Sequence, residues 1–430
     1  MTNLVILLVL AAILILLSYV HKDLINPPVI LTMAWMFPFL WLVFTEGIGK
    51  GGYDVDILAF YYVIGILVFC AGYYAVNKRI VYDTGRFEVV DRKSMTGLFK
   101  LFILAEAVLI AFFFYDAMKF VMGHFQYNIW FTYKWNVSMG YYEDFFFIPY
   151  LRTASRIFLC IMFVQFLQKG HDKRDTKWFL LQAVLTALLN LMGQGRGALF
   201  SLVIPIGIIY ILMRRKYSYD SIKIGMKVMA VLLIIFIVYS GMKSPYKTGE
   251  EISVFRNIEN YLCGSMVAFL DWAKEPFREW GYGLYTFRFF LAILHALGFP
   301  VTVVPMVEPY VVNINGNVGN VYTFYKWYAN DFGLLYALAW QFAVGALHGA
   351  IARQTLRKRS ELWLISYAIS FYPLIMQFFM DEYITMLSMW LQTVFWILLF
   401  LKTKLFYREL ENSEGKRRRI RFKIGSRMTV

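Results

Sequence analysis

Gly193-Gln194-Gly195-Arg196-Gly197 joins two apolar runs of the chain. A guanidinium this close to hydrocarbon needs water or a partner, and the flanking glycines let backbone approach a ligand closely. Arginine offers paired donors that match phosphate, so the hairpin reads either as an anion site or as a snorkelling topological anchor. Arg288, in Tyr285-Thr286-Phe287-Arg288, invites the same two readings. Arg152, Arg156, Lys243, Lys247 and Arg256 are further cations near apolar boundaries, each with an anchoring alternative. Among the acids, Glu106 falls inside an apolar run and is either functional or a neutral, hydrogen-bonded structural group. Asp331 opens another run, where a helix N-cap is the alternative. Asp381 and Glu382 share a short turn between the last two runs and have a simple solvating alternative.

Other chemistry has little footing. The 5 histidines have no metal-ligand spacing, so neither a metal nor another cofactor is expected. There is no GxSxG nucleophile motif, no GxxxxGKS and no strand followed by GxGxxG. The 3 cysteines form no CxxC pair and read as small core residues.

The elements that must carry these residues are membrane spans. The 430 residues are 60% hydrophobic and only 17% charged, with a mean hydropathy of +0.55, against about 25% charged in ordinary soluble domains. Apolar runs long enough to satisfy their own backbone across a bilayer recur from end to end. The pattern predicts an all-α polytopic protein with about eleven transmembrane helices, near 3–20, 27–44, 57–76, 98–117, 150–168, 178–193, 197–213, 224–241, 331–352, 361–380 and 385–402. The first run lacks a basic n-region and reads as a retained span. Most of the 43 Lys and Arg residues fall in 21–26, 77–99, 169–177, 214–223, 353–360 and 402–430. The positive-inside rule makes those segments cytoplasmic, with the N-terminus outside and the C-terminus inside. Much of the net charge of +15 sits in this topological role and in the basic tail 403–430, so a nucleic-acid partner is not expected.

One integral membrane domain, 1–430, then carries two long external loops. The first, 118–149, is crowded with aromatics including Trp135, either an interfacial belt or a platform on which sugar rings stack. The second, 242–330, is charge-balanced. Its Phe255, Ile258, Leu262, Met266 and Phe269 recur at helical spacing, which predicts an amphipathic helix on the outer surface. The stretch 284–298, with Arg288 and His295, is expected as an interfacial or re-entrant helix, because a twelfth crossing would upset the parity.

Gly195-Arg196-Gly197-Ala198-Leu199 after an apolar helix, Tyr285-Thr286-Phe287-Arg288, and Asn320-Val321-Tyr322-Thr323-Phe324 leading to Asp331-Phe332-Gly333 and Gly345 resemble the bacterial Wzy-type oligosaccharide repeat-unit polymerases. The family's Arg-x10-Gly pattern fits Arg196 to Gly207, while Arg288 to Gly298 is one residue short. The resemblance implies a metal-independent fold of the GT-C type in a bacterial cytoplasmic membrane. It implies transfer of a glycan on undecaprenyl pyrophosphate to the non-reducing end of a lipid-linked repeat unit at the outer face, with a chain-length-determining co-polymerase as a further partner. Arg196 and Arg288 would then stabilise the leaving pyrophosphate, with His295, Asp331 or Glu143 as base. Arg256, Tyr285, Tyr322, Lys247 and Trp135 would bind substrate. An O-antigen ligase differs only in acceptor, and a lipid-linked oligosaccharide flippase is the alternative from another class.

Overall fold

The computed structural model describes residues 2–21, 23–47, 56–78, 87–90, 92–124, 129–138, 141–142, 145–169, 173–191, 196–214, 223, 225–227, 230, 234, 254–275, 280–305, 311–312, 318–403, 407–409 and 419–421. The chain is a helical, multi-pass membrane protein. Among the described residues 7 helices are long and apolar enough to cross a bilayer. They are α1 (Thr2–His21), α2 (Pro27–Gly47), the 3-10 turn Ile57–Ala59 continued by α3 (Phe60–Val76), α4 (Gly97–Gly123), α6 (Ile148–Lys169), α8 (Arg196–Arg214) and α13 (Leu334–Lys358). Shorter apolar stretches are Thr176–Leu191 within α7 (Lys173–Leu191), α14 (Glu361–Met376) and α15 (Leu387–Lys402). The remaining helices α5 (Ile129–Ser138), α9 (Val254–Leu262), α10 (Gly264–Lys274), α11 (Arg288–Ala296) and α12 (Tyr325–Phe332) are short. The expected span 224–241 lies mostly outside the described residues.

The described residues fall into two compact units, each assembled from separate stretches of chain. The first comprises Met1–Asp83, Ser253–Leu356 and Ser370–Ser388. Its core is aromatic. Trp35 of α2 stacks on Tyr62 of α3 at 4.4 Å between ring centroids, and Tyr61 meets Tyr325 of α12 edge-on at 5.0 Å. Small residues let α3 and α13 cross closely, since a methyl added at Gly72 would strike the Phe342 carbonyl and one added at Gly345 the Phe69 carbonyl. The outer-surface helix expected over Phe255 to Phe269 is instead two helices, α9 and α10, interrupted at Cys263. Met266 and Phe269 are fully buried, and the Met266 carbonyl accepts a 2.9 Å hydrogen bond from the Tyr62 hydroxyl. Periodicity identified an apolar face; the aromatic core, rather than the membrane surface, covers Met266 and Phe269 on it.

The expected ninth span also begins later. Asp331 is the penultimate residue of α12, not the cap of a span, and α13 starts after Gly333, whose φ of 87° ends the preceding helix.

The second unit comprises Thr84–Ile252, Arg357–Ile369 and Met389–Val430. In it α6, α7 and α8 pack against one another, and α4 packs on α7. Short strands pair beside the helices: β1 (Glu88–Val90) with β6 (Arg419–Arg421), and β2 (Arg92–Met95) with β5 (Tyr407–Glu409), both antiparallel. The Glu88 amide also donates to the Arg359 carbonyl at 2.7 Å. In the first unit β3 (Val311–Val312) pairs with β4 (Val318–Gly319).

Candidate functional site

The second unit gathers cations at one end of three helices. Arg156 of α6 bonds Ser201 near the start of α8, and Arg214 at the end of α8 reaches the Leu167 carbonyl near the end of α6 at 3.5 Å. The two helices are therefore parallel, and α7 returns between them. Two helix N-termini and one C-terminus share that end, where the aligned peptide dipoles of α6 and α8 favour an anion. Arg152 donates from Nε to the Leu189 carbonyl at 3.3 Å, a group in the last turn of α7, where helix carbonyls take partners from outside the helix. Arg196 is the first residue of α8. Its backbone stands at the same end as Arg152 and Arg156; its side chain lies outside the described residues.

Deeper in the same unit Glu106 is 1% exposed. It accepts from the Ser155 hydroxyl and, at 2.9 Å, from Gln182 Nε2. Ser155 meets Thr186 Oγ1 at 2.7 Å, and Thr186 donates back to the Gln182 carbonyl. Gln182, Thr186 and Asn190 form a polar stripe along α7, four residues apart, so the fully apolar reading of that run misses it although the letters carry it. Asn190 Nδ2 donates to the Thr186 carbonyl at 2.7 Å, while its Oδ1 is buried without a partner among the described residues.

The first unit holds the other candidates. Asp331 is fully buried, and its two oxygens accept the backbone amides of Tyr285 at 3.2 Å and Thr286 at 2.7 Å. The Asn330 carbonyl accepts the Gly281 amide at 2.9 Å alongside. The carboxylate thus holds the turn before α11, which leaves it poorly placed to take a substrate proton. Arg288 Nε donates to the Val304 carbonyl at 2.8 Å. His295 is exposed, with Nδ1 3.2 Å from the Val301 carbonyl. Tyr285 meets Trp327 edge-on at 5.0 Å. Tyr322 walls a cage around the buried Lys326 ammonium, which stands 4.9 Å from its ring and 4.6 Å from that of Trp272. Lys326 carried no signal in the sequence beyond an ordinary boundary lysine.

Asp381 is buried in the turn after α14. It accepts from the Tyr383 amide at 3.0 Å, the Thr385 amide at 3.0 Å and the Tyr328 hydroxyl at 3.2 Å. Burial outweighs those bonds and raises its pKa to about 6. Glu382 beside it accepts from the Tyr372 hydroxyl at 2.7 Å. The solvating role open to this turn in the sequence is replaced by burial of both carboxylates.

Glu143 and Lys247 lie outside the described residues, as do the side chains of Arg256 and Trp135. In the external aromatic segment Tyr142 donates to Asp116 at 2.8 Å and packs on Phe120, which ties part of that segment to α4, while Tyr141 and Phe146 stay exposed. Among the described residues no three of His, Cys, Asp or Glu gather into a metal-ligand set. Arg196 belongs to the second unit and Arg288 to the first. Compared with known proteins, the chain matches no family model, no curated protein and no solved structure.

Proposed function

We propose that this protein is a glycosyltransferase of the Wzy polymerase kind, with eleven crossings of a bacterial cytoplasmic membrane in a GT-C-type arrangement. Its reaction would join undecaprenyl-pyrophosphate-linked glycans at the outer face. The observation that carries the reading is the shared end of α6, α7 and α8, where Arg152, Arg156 and the backbone of Arg196 meet two helix N-termini. Such an end suits a pyrophosphate held at the membrane edge, the depth at which a polyprenyl lipid presents it.

In the transfer the anomeric carbon–oxygen bond to pyrophosphate breaks, and the pyrophosphate leaves with the electron pair. The acceptor hydroxyl oxygen bonds to that carbon, and its proton passes to a base. Charge grows on the leaving oxygens, so cations fixed there lower the barrier more than they tighten ground-state binding. Arg196 is assigned the principal contact in this reading, supported by Arg152 and Arg156, which bond Leu189 and Ser201. His295, Asp331 and Glu143 are the candidate bases; Asp331 already accepts two backbone amides, and the contact of His295 Nδ1 with a carbonyl leaves Nε2 as a proton acceptor.

The test is reconstitution with undecaprenyl-pyrophosphate-linked repeat units. Wild type yields a product ladder; Arg196→Ala lowers its rate by about 100-fold or more, the scale of losing one charge-stabilising donor. An undiminished ladder from Arg196→Ala and from Arg152→Ala would remove this end of the bundle from the mechanism. One observation favours a second reading: the buried Glu106 network has the character of a transport pathway. Movement of the lipid-linked substrate between leaflets, with no ladder, would establish a flippase instead.

A further inference from the structure

An amphipathic helix turns its apolar stripe toward a core or another apolar phase. Helix α11, Arg288-Phe289-Phe290-Leu291-Ala292-Ile293-Leu294-His295-Ala296, has no buried residue. Phe287, Phe290, Ile293, Leu294, Leu297 and Phe299 are between 38% and 69% exposed. The chain then turns at Gly298, whose φ is 90°, and returns through Pro300 to Pro305.

The two polar side chains of the helix both serve this return. Seven residues apart, they lie on one helical face, where Arg288 Nε donates to the Val304 carbonyl at 2.8 Å and His295 Nδ1 meets the Val301 carbonyl at 3.2 Å. Water normally satisfies carbonyls of an exposed non-helical strand. Side chains that satisfy them from a neighbouring helix are the device a strand needs where water is missing.

The base of this hairpin is fixed: Asp331 holds the Tyr285 and Thr286 amides, and Asn330 holds Gly281. The apolar surface continues onto Phe332 and Leu335, which are 46% and 82% exposed at the start of the spanning helix α13. An in-plane amphipathic helix turns its polar face to water, whereas the polar face of α11, Arg288 and His295, is turned to the carbonyls of the returning strand. Its 9 residues measure about 14 Å, close to the roughly 15 Å of one hydrocarbon leaflet.

We infer that residues 287–305 form a re-entrant hairpin that enters one leaflet beside α13, with the acyl chains of the bilayer as its partner and with Arg288 and His295 as the staples that keep its returning strand hydrogen-bonded there. This assignment is independent of the transfer reaction. It makes both residues positioning groups and accounts for two polar side chains in an apolar hairpin without calling on substrate.

The experiment uses the full chain in phosphatidylcholine–phosphatidylglycerol vesicles. The native cysteines Cys70, Cys160 and Cys263 are buried, so Leu297→Cys and Ile293→Cys accept a fluorescent label selectively. Lys274→Cys, whose lysine shares an exposed ion pair with Asp56, is the aqueous control. Emission at 297 and 293 is lost to a nitroxide on the lipid acyl chain and is insensitive to iodide, while the label at 274 behaves in the opposite way. Iodide quenching at 297 and 293 without lipid quenching would overturn the proposal. Protection from both quenchers with cross-linking between copies would also overturn it, assigning the face to self-association. His295→Ala, read by iodide access to a label at Thr302→Cys, isolates the staple: access rises if the bond to Val301 matters, and unchanged access removes His295 from that role.

Discussion

Three aspartates with similar sequence settings behave differently because of partners distant along the chain. Asp331 is fixed by two amides from residues 285 and 286, so Asp331→Ala leaves both donors unsatisfied and costs about 3 kcal/mol. Thermal unfolding in detergent reads this as a lower midpoint, and an unchanged midpoint would return the carboxylate to the list of bases. Asp381 is controlled by burial. Its pKa rises from 3.8 to about 6 in the folded chain, so the folded state holds the proton more tightly than the unfolded state. Its contribution is therefore fully present below pH 3.8 and is lost as pH rises through about 6, a change of about 3 kcal/mol. Wild type should lose stability across that window relative to Asp381→Asn, which has no titrating group there; parallel profiles would refute the buried setting. The third, Asp116, simply receives the Tyr142 hydroxyl at 2.8 Å. Letters alone cannot separate these cases, because amide donors, burial and a distant hydroxyl are all tertiary facts.

At the scale of elements, the sequence was most legible where a segment satisfies itself. Apolar runs must close their own hydrogen bonds in lipid, so span positions follow from composition, and α1 to α4, α6 to α8 and α13 to α15 lie where the runs do. What a face packs against was not legible. Phe255 to Phe269 gave a helical period, and the cover of Met266 and Phe269, the aromatic core around Tyr61 and Tyr62, comes from residues more than 200 positions earlier. The stripe of Gln182, Thr186 and Asn190 was present in the letters but hidden by the apolar average of α7. Gly345 entered the sequence reading as part of a family pattern; the structure gives it a packing role, because its Cα faces the α3 backbone at Phe69. Gly345→Ala should therefore cost about 1–3 kcal/mol by overpacking against backbone that cannot move aside. Gly72→Ala, which meets the Phe342 carbonyl, should do the same, and Gly264→Ala, whose added methyl meets nothing within 4 Å, should not. Equal midpoints for all three variants in detergent would disprove the close crossing.

At the scale of the whole molecule, strand pairing constrains topology in a way no single span can. Segment 88–95 pairs with 407–409 and 419–421, and its first amide binds the Arg359 carbonyl, so the loop after α3, the loop after α13 and the chain beyond α15 share one side of the membrane. These are segments that the distribution of Lys and Arg assigns to the cytoplasm. An even number of crossings must then separate residue 95 from residue 407. If every described apolar helix in that interval crosses, α4, α6, α7, α8, α13, α14 and α15 provide an odd number. The expected span at 224–241 restores the parity and completes the proposed eleven. The consequence is directly measurable by labelling single cysteines in intact cells with a membrane-impermeant maleimide. Lys247→Cys and Gln194→Cys should react from outside, whereas Lys223→Cys and Lys358→Cys should react only after the membrane is opened. Lys223 and Lys247 reacting from the same side would remove the crossing between them and leave the strand pairing incompatible with the remaining spans. Gln194 reacting only from the cytoplasm would place the arginine end of α6, α7 and α8 in the wrong leaflet for an external lipid-linked donor and defeat the polymerase reading itself.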